Sequence, residues 1–236
     1  MHLSTVALAI TCKTPISGAS KTRLSPPLRP DECAAISACF IRDLARTIAA
    51  LAEGGGVTGY ALYTPRGSEV SLLSLLPDGF KLMPQVEGGF GERLLRGAID
   101  LLAAGHSGAI LINSDSPTLP ASILHEAADA VRGGDNVVLS PAHDGGYTLI
   151  GLSQPHGRLF EEIPWSTSDV YRLTLERARE IGLPVVTAPG WYDVDDATSL
   201  RMLEAELAGE RLAFTAIAGA EAPATRAFMQ ARAALA

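Results

Sequence analysis

The sequence predicts an α/β domain of three layers, with helices on both faces of a mixed, mainly parallel sheet. Two observations carry this. Short apolar runs, such as residues 6–10 and 109–112, alternate with helical patterns of 10–15 residues, as in successive βαβ units. One pair of runs, 137–139 and 147–152, is separated by an insertion at 143–146 that is too short for a crossover helix. Those two strands are expected to be antiparallel neighbours, which makes the sheet mixed.

The elements follow in order. Residues 6–10 read as a buried first strand. Asp31 can cap a helix in which Ile36, Phe40, Leu44, Ile48 and Leu51 recur every three or four residues, and Gly54 to Gly56 ends it. Residues 60–63 form a second strand, and Leu82 and Met83 mark a short third one. A helix over 92–104 leads to the strand at 109–112, and Leu124, Ala127, Ala128 and Val131 line the next helix face. Strands at 137–139 and 147–152, a helix over 170–181 and a strand at 184–187 complete the sheet. Residues 1–207 are expected to form one domain. The Ala-rich extension 208–236 is expected to be helical, and to pack on the domain or on a second copy in a homodimer.

Composition narrows the class. With 236 residues, 47% hydrophobic and 19% charged, the chain can bury a large core. A net charge of −7 argues against nucleic-acid binding, which calls for a basic face, but leaves room for a local basic loop that meets a nucleotide. Cys12, Cys33 and Cys39 have neither zinc-finger spacing nor the number a disulfide scaffold needs, so buried thiols in a reducing compartment are expected. The segment VALAITC imitates a lipoprotein cleavage box, but it lacks a basic leader and has Thr11 before the Cys. No run approaches the ~20 apolar residues of a membrane span. The expectation is a cytoplasmic protein with no membrane partner.

Four segments carry chemistry. The first, KTPISGASKTRL from Lys13 to Leu24, follows the first strand and joins a turn at Gly18 to Lys21, Thr22 and Arg23. Backbone N–H groups in such a turn can converge on an anion, with the cations neutralising phosphate. A Walker A loop is excluded, because Ser20 and Pro15 stand where it requires glycine. The competing reading is a solvated basic turn.

Asn113-Ser114-Asp115-Ser116-Pro117 directly follows the strand at 109–112, where ligands of open α/β sheets collect. Asp115 suits a hard Mg²⁺ or Mn²⁺ on phosphate oxygens, and it equally suits a turn before Pro117. In Gly190-Trp191-Tyr192-Asp193-Val194-Asp195-Asp196, extended alternation puts Asp193 and Asp195 on one side and Val194 on the other. Those two acids can complete a metal site, while Asp196 can cap the helix carrying Leu200 and Leu203. Asp144, Gly145, Gly146 and Tyr147 can hold an acceptor substrate or form a plain hairpin turn. His143 beside them has no visible partner. Gly89-Phe90-Gly91 starts like a dinucleotide fingerprint, but Leu94 replaces the third glycine.

Taken together, KTPISGASKTRL, Gln85 with GGFGERL, NSDSPTLP, SPAHDGGYTLIGL, Trp165-Ser166-Thr167 and YDVDDATSL resemble the bacterial DUF2064 family. Its members, among them the transferases associated with radical-SAM selenodomain proteins, are usually described as glycosyltransferase-like. They are related to guanylyltransferases of the molybdenum-cofactor and phospholactate type. The matching segments span most of the chain to about residue 203 and depart from the pattern at Ser17, Gly89 and Asp196. The resemblance implies a Rossmann-like GT-A fold of the nucleotide-diphospho-sugar transferase kind, with the basic loop on nucleotide phosphates and Asp115 on a divalent metal.

The expected activity is metal-dependent transfer from an NTP or an NDP-sugar to a small phosphorylated or hydroxylated acceptor. Lys13, Lys21 and Arg23 would neutralise phosphate charge. Asp115 and Asp195 would hold Mg²⁺ or Mn²⁺, with Asp193 as the alternative ligand. Gln85 would read the base, and Asp144 to Tyr147 would hold the acceptor. The Lys-Thr-Arg-Leu loop resembles nucleotidyltransferases, and Ser114-Asp115-Ser116 offers one acid where sugar transferases commonly show DxD, so nucleotidyl transfer leads. Glycosyl transfer and a nucleotide-binding protein without turnover are the alternatives. A haloacid-type phosphatase is excluded, since Lys13 and Thr14 stand where its nucleophilic acids belong.

Overall fold

A computed structural model describes residues 5–234. The outermost residues of the two expected segments, 1–4 and 235–236, lie outside that range. Among the described residues, seven strands form one sheet in the order β3-β2-β1-β4-β6-β5-β7.

β1 (Val6–Lys13) pairs in parallel with β2 (Val57–Thr64) on one side and β4 (Gly108–Asn113) on the other. β3 (Lys81–Pro84) extends the sheet beyond β2. β6 (Tyr147–Leu152) runs antiparallel to both β4 and β5 (Val137–Pro141), as the short insertion required, and β7 (Val185–Thr187) closes the far edge parallel to β5.

The layers follow from strand alternation. Val6, Leu8, Ile10 and Cys12 of β1 face one core with α1 (Pro30–Glu53) and α4 (Ala121–Arg132). Ala7 and Ala9 face a second core with α3 (Phe90–Ala103) and Ala178 of α5 (Val170–Glu180). A central strand buried on both faces reads as a continuous apolar run, which is why 6–10 stands out in the sequence. Leu200 and Leu203 of α6 (Ala197–Leu207) join the first core.

Three boundaries differ from expectation. α1 begins at Pro30, because proline's fixed φ suits the first helical position and Glu32 accepts the Arg29 N–H at 2.8 Å; Asp31 sits inside the first turn rather than capping it. β1 runs on to Lys13, so this lysine ends a strand rather than opening the loop. A five-residue α2 (Glu69–Leu73) interrupts the connection between β2 and β3.

Of the extension 208–236, expected to be helical, residues 208–222 are turns and irregular chain, and the helix is α7 (Pro223–Ala233), docked on α1. Buried Asp43 of α1 accepts the N–H groups of Ala224 and Thr225 at 2.9 and 2.7 Å, supplying the carboxylate that a helix N-terminus favours.

Candidate active site

The chain turns one way from β1 to β2 and the other way to β4, so their carboxyl ends diverge at a switch point, where a crevice opens. The residues singled out in the sequence collect there. Lys13 ends β1, Asn113 ends β4, and Asp115 lies two residues further on.

The basic loop is partly self-satisfied. The N–H groups of Ala19 and Ser20 both donate to Ile16 O at 3.0 Å, and Ile16 N–H donates to Ser20 Oγ at 2.9 Å. Those groups are committed and do not form an anion cradle. Gly18, at φ 75°, makes the turn, and Lys13, Gly18, Thr22 and Arg23 are exposed beside the strand ends. Lys13 Nζ donates to Ala19 O at 3.4 Å.

Lys21 does the opposite. Its side chain is only 7% exposed, and Nζ lies 2.8 Å from Asp115 Oδ1 and 2.8 Å from Asp195 Oδ1. It also donates to Val194 O at 2.8 Å. Burial opposes the ammonium charge, but Asp115 and Asp195 outweigh it and raise the Lys21 pKa. Lys21 takes a left-handed backbone conformation, φ 49°, which costs a non-glycine residue about 1–2 kcal/mol. Arg23 Nη2 donates to Asp195 Oδ2 at 2.6 Å. For Asp195, burial raises the carboxyl pKa, yet Lys21 and Arg23 prevail and hold it below its ordinary range.

The extended alternation at 193–195 is realised. Val194 is fully buried and its N–H donates to Asp115 O at 2.8 Å, while Asp193 and Asp195 both face the crevice. Asp193 is pushed up to about 7, first by burial and then by Asp144, Asp195 and Asp115. Neither Asp193 nor Asp144 has a cationic partner among the described residues. Asp196 caps α6, accepting the N–H groups of Thr198 and Ser199 at 2.8 Å each.

The turn between β5 and β6 is a hairpin. Asp144 Oδ1 accepts the Gly146 N–H at 2.8 Å, and Gly145, at φ 93°, packs so closely on Ser168 that an added Cβ would lie 2.2 Å from its carbonyl oxygen. Gly145 therefore serves the fold, while Asp144 and Gly146 border the crevice. Tyr147 also lines the crevice, but its hydroxyl is sealed from solvent beside Thr174; burial pushes its pKa up and keeps it neutral.

Gln85 is likewise committed. Its Nε2 donates to Leu62 O at 2.8 Å and its Oε1 accepts from Arg93 Nη1 at 3.0 Å. Both ends of the amide are engaged, so Gln85 ties the strand ends to α3. His143 lies against Phe214, with ring centroids 5.6 Å apart.

A cavity of about 290 Å³ occupies the crevice. Asp115, Asp144, Asp193, Asp195 and Arg23 form one end. Phe90, Leu94, Leu111, Ile150, Trp165 and Val170 form the other, with Thr11, Asn113 and Thr148 between. Sequence reasoning assigned no role to Phe90 or Trp165. The available signal was a phenylalanine in a glycine-rich helix start and a tryptophan in a loop, which periodicity places in no core face.

The donors at the acidic end are carboxylate oxygens, which suit a hard divalent cation. Among the described residues, no three His, Cys, Asp or Glu side chains converge as a protein-built metal centre. The fit is to Mg²⁺ or Mn²⁺ held by one or two carboxylates plus substrate phosphate oxygens. Among the described residues, no helix is long and apolar enough to cross a membrane.

Comparison with known proteins agrees with this geometry. Residues 47–167, just over half of the chain, match the family described as "Uncharacterized protein conserved in bacteria (DUF2064)". The chain belongs to this family. No curated protein sequence matches it. Among solved structures, this DUF2064 chain is similar to a "putative nucleotide-diphospho-sugar transferase" of Desulfovibrio desulfuricans G20, with 26% identity, TM-score 0.81, and coverage of 98% of this chain and 96% of that one. CMP:2-keto-3-deoxy-manno-octonic acid synthetase in complex with CTP matches at 12% identity and TM-score 0.55, over 88% of this chain and 100% of that one. Glucosyl-3-phosphoglycerate synthase from Mycobacterium tuberculosis, in complex with Mn²⁺, UDP and glucosyl-3-phosphoglycerate, matches at 14% identity and TM-score 0.51, over 86% and 75%. The latter two likenesses are of fold alone. The DUF2064 chain thus has the fold shared by nucleotidyltransferases and nucleotide-sugar transferases.

Proposed function

We propose that this protein transfers a group from an activated nucleotide to an acceptor hydroxyl, with nucleotidyl transfer from an NTP as the leading chemistry. The observation that carries the reading is the pairing of Lys21 with Asp115 and Asp195 at the switch point of the sheet, beside an exposed Lys13, Thr22 and Arg23. Carboxylates that can hold a cation and cations that can meet phosphate stand together at one crevice.

In this reading, Asp115 and Asp195 hold a divalent cation, with Asp193 as the alternative ligand. Mg²⁺ or Mn²⁺, when bound, supplies charge neutralisation at the phosphates. Lys13 and Arg23 approach the phosphates from the loop. Lys21 fixes the spacing of the two carboxylates and shares its charge with the bound nucleotide. The acceptor oxygen bonds to the α-phosphorus, the bond to the bridging oxygen breaks, and pyrophosphate leaves. The hydroxyl proton passes to Asp144 or Asp193, the crevice carboxylates without a cationic partner. Positioning and charge stabilisation provide most of the acceleration.

Glycosyl transfer is the second reading, and the similarity to the Desulfovibrio protein favours it. There the acceptor oxygen bonds to the anomeric carbon and the nucleoside diphosphate leaves. Calorimetric titration with the four NTPs and a set of NDP-sugars, with and without Mg²⁺ or Mn²⁺, tests both. Cation-dependent binding of one NTP supports nucleotidyl transfer, and preference for an NDP-sugar supports glycosyl transfer. Absence of binding to either removes the transferase reading.

A further inference from the structure

Resting on the transferase reading, we infer that the acceptor is a hydroxylated molecule with an aromatic-sized apolar portion, neutral or cationic, and that phosphorylated acceptors are excluded. The cavity is divided by chemistry: its acidic end belongs to the transfer site, and its other end is an apolar chamber between α3 and α5.

The chamber is built from three directions. Leu111 of β4 and Ile150 of β6 line it from the sheet, Leu94 and Phe90 from α3 with Trp165 packed against them, and Val170 from the start of α5. Phe90 and Trp165 meet edge to face, with centroids 5.0 Å apart and planes at 75°. This geometry exposes ring edges and faces at the rim, and Phe90 remains 44% exposed. Ser166, next to Trp165, is held at φ 67°, an unfavourable conformation for a residue other than glycine. Gly91 allows the close approach of α3, since an added Cβ would lie 2.9 Å from the Trp165 ring. Trp165 thus packs directly on α3 beside Phe90.

Charge decides against a phosphorylated acceptor. The cavity is lined by four carboxylates and one cation, Arg23, already paired with Asp195 at 2.6 Å. Lys21 lies behind the acids and is paired with two of them. Arg93, on the same helix as Phe90, donates to the neutral Gln85 amide and lies 5.5 Å over the Phe90 ring, but it does not line the cavity. Two formal negative charges are left, which one divalent cation neutralises before the nucleotide brings its own phosphates. Among the residues that line the cavity no unpaired cation is left for a second phosphate group, and burying one unpaired is costly. The mixed polar waist of Thr11, Asn113 and Thr148 can instead orient a hydroxyl toward the acidic end.

The test compares tyrosol, tyramine and phenyl phosphate, matched in size and differing in charge, by ligand-observed NMR on the full chain in Mg²⁺. The same titration uses Phe90→Ala and Trp165→Ala, with nucleotide binding measured in parallel; Phe90, being half exposed, is the variant that keeps the fold if Trp165→Ala does not. Tyrosol and tyramine should bind, phenyl phosphate at least tenfold more weakly, and Phe90→Ala should weaken the first two about fivefold or more while changing nucleotide affinity less than twofold. Phenyl phosphate binding as tightly as tyrosol overturns the inference, as does loss of nucleotide affinity in Phe90→Ala, which would make the chamber a base pocket. Nucleotide binding without tyrosol or tyramine binding overturns the acceptor inference alone. Probe binding without any nucleotide binding overturns the transferase reading beneath it.

Discussion

Lys21 and Asp195 come from segments 174 residues apart and meet at 2.8 Å, with the ammonium shared equally by Asp115. The lysine is 7% exposed and the acids 29%. Lys21 is thus an internal countercharge that makes two adjacent carboxylates tolerable.

Removing that charge should be costly. In Lys21→Met the carboxylates face each other uncompensated, and breaking a buried pair costs about 3–5 kcal/mol. Partial exposure of the acids lowers the expectation to about 1–3 kcal/mol. Thermal denaturation should show the loss at pH 7, and Asp195→Asn in the same background should recover part of it. Additive losses in the double variant would show that the two residues are not coupled.

Asp193 should behave in the opposite sense. Its folded pKa, about 7, lies above the ordinary 3.8, so the folded state binds the extra proton and stability falls as pH rises through that window. The full difference corresponds to about 4 kcal/mol, and solvent access at the crevice reduces it to about 1–3. Asp193→Asn should therefore raise the melting temperature at pH 8 and change it little at pH 4, while reducing transfer. Equal effects at both pH values would show that burial and acid–acid repulsion do not act on Asp193.

A cation should relieve the same strain. If Mg²⁺ binds with Asp193 as its alternative ligand, Asp193 gives up its proton, so binding near pH 7 releases a fraction of one proton per site. Calorimetry in two buffers of different ionisation enthalpy measures that release. Its absence in wild type would place the cation away from Asp193.

Much of the fold was legible because β1 and β4 are buried on both faces and their apolar runs are unbroken. The short β5–β6 insertion fixed the antiparallel strand for a similar local reason. The clustering of Lys21, Asp115 and Asp195 was foreseeable from strand ends, since every parallel strand delivers its following loop to the same edge. What Lys21 does there was not. Its pairing depends on a left-handed backbone turn that a Ser-Lys-Thr sequence does not announce. The partners of Gln85 were not legible for a related reason: Leu62 O and Arg93 are brought to its amide by packing of α3 on the sheet. Phe90 and Trp165 come together across 75 positions of sequence, which no periodicity records.

The hairpin supplies the clearest separation of fold from chemistry. Gly145 has φ 93° and no room for a Cβ against the Ser168 backbone, and its carbonyl accepts the Tyr171 N–H at 2.9 Å. Gly145→Ala should cost more than about 2 kcal/mol, combining the strain of a positive φ with a backbone collision that no rotamer relieves. Asp144→Asn keeps the Oδ1 contact to Gly146 N–H and removes only charge, so stability should stay within about 0.5 kcal/mol while turnover falls. Chemical denaturation and steady-state kinetics on the two variants divide the turn accordingly. If Asp144→Asn leaves turnover intact, Asp144 belongs to the hairpin, and the proton from the acceptor must pass to Asp193.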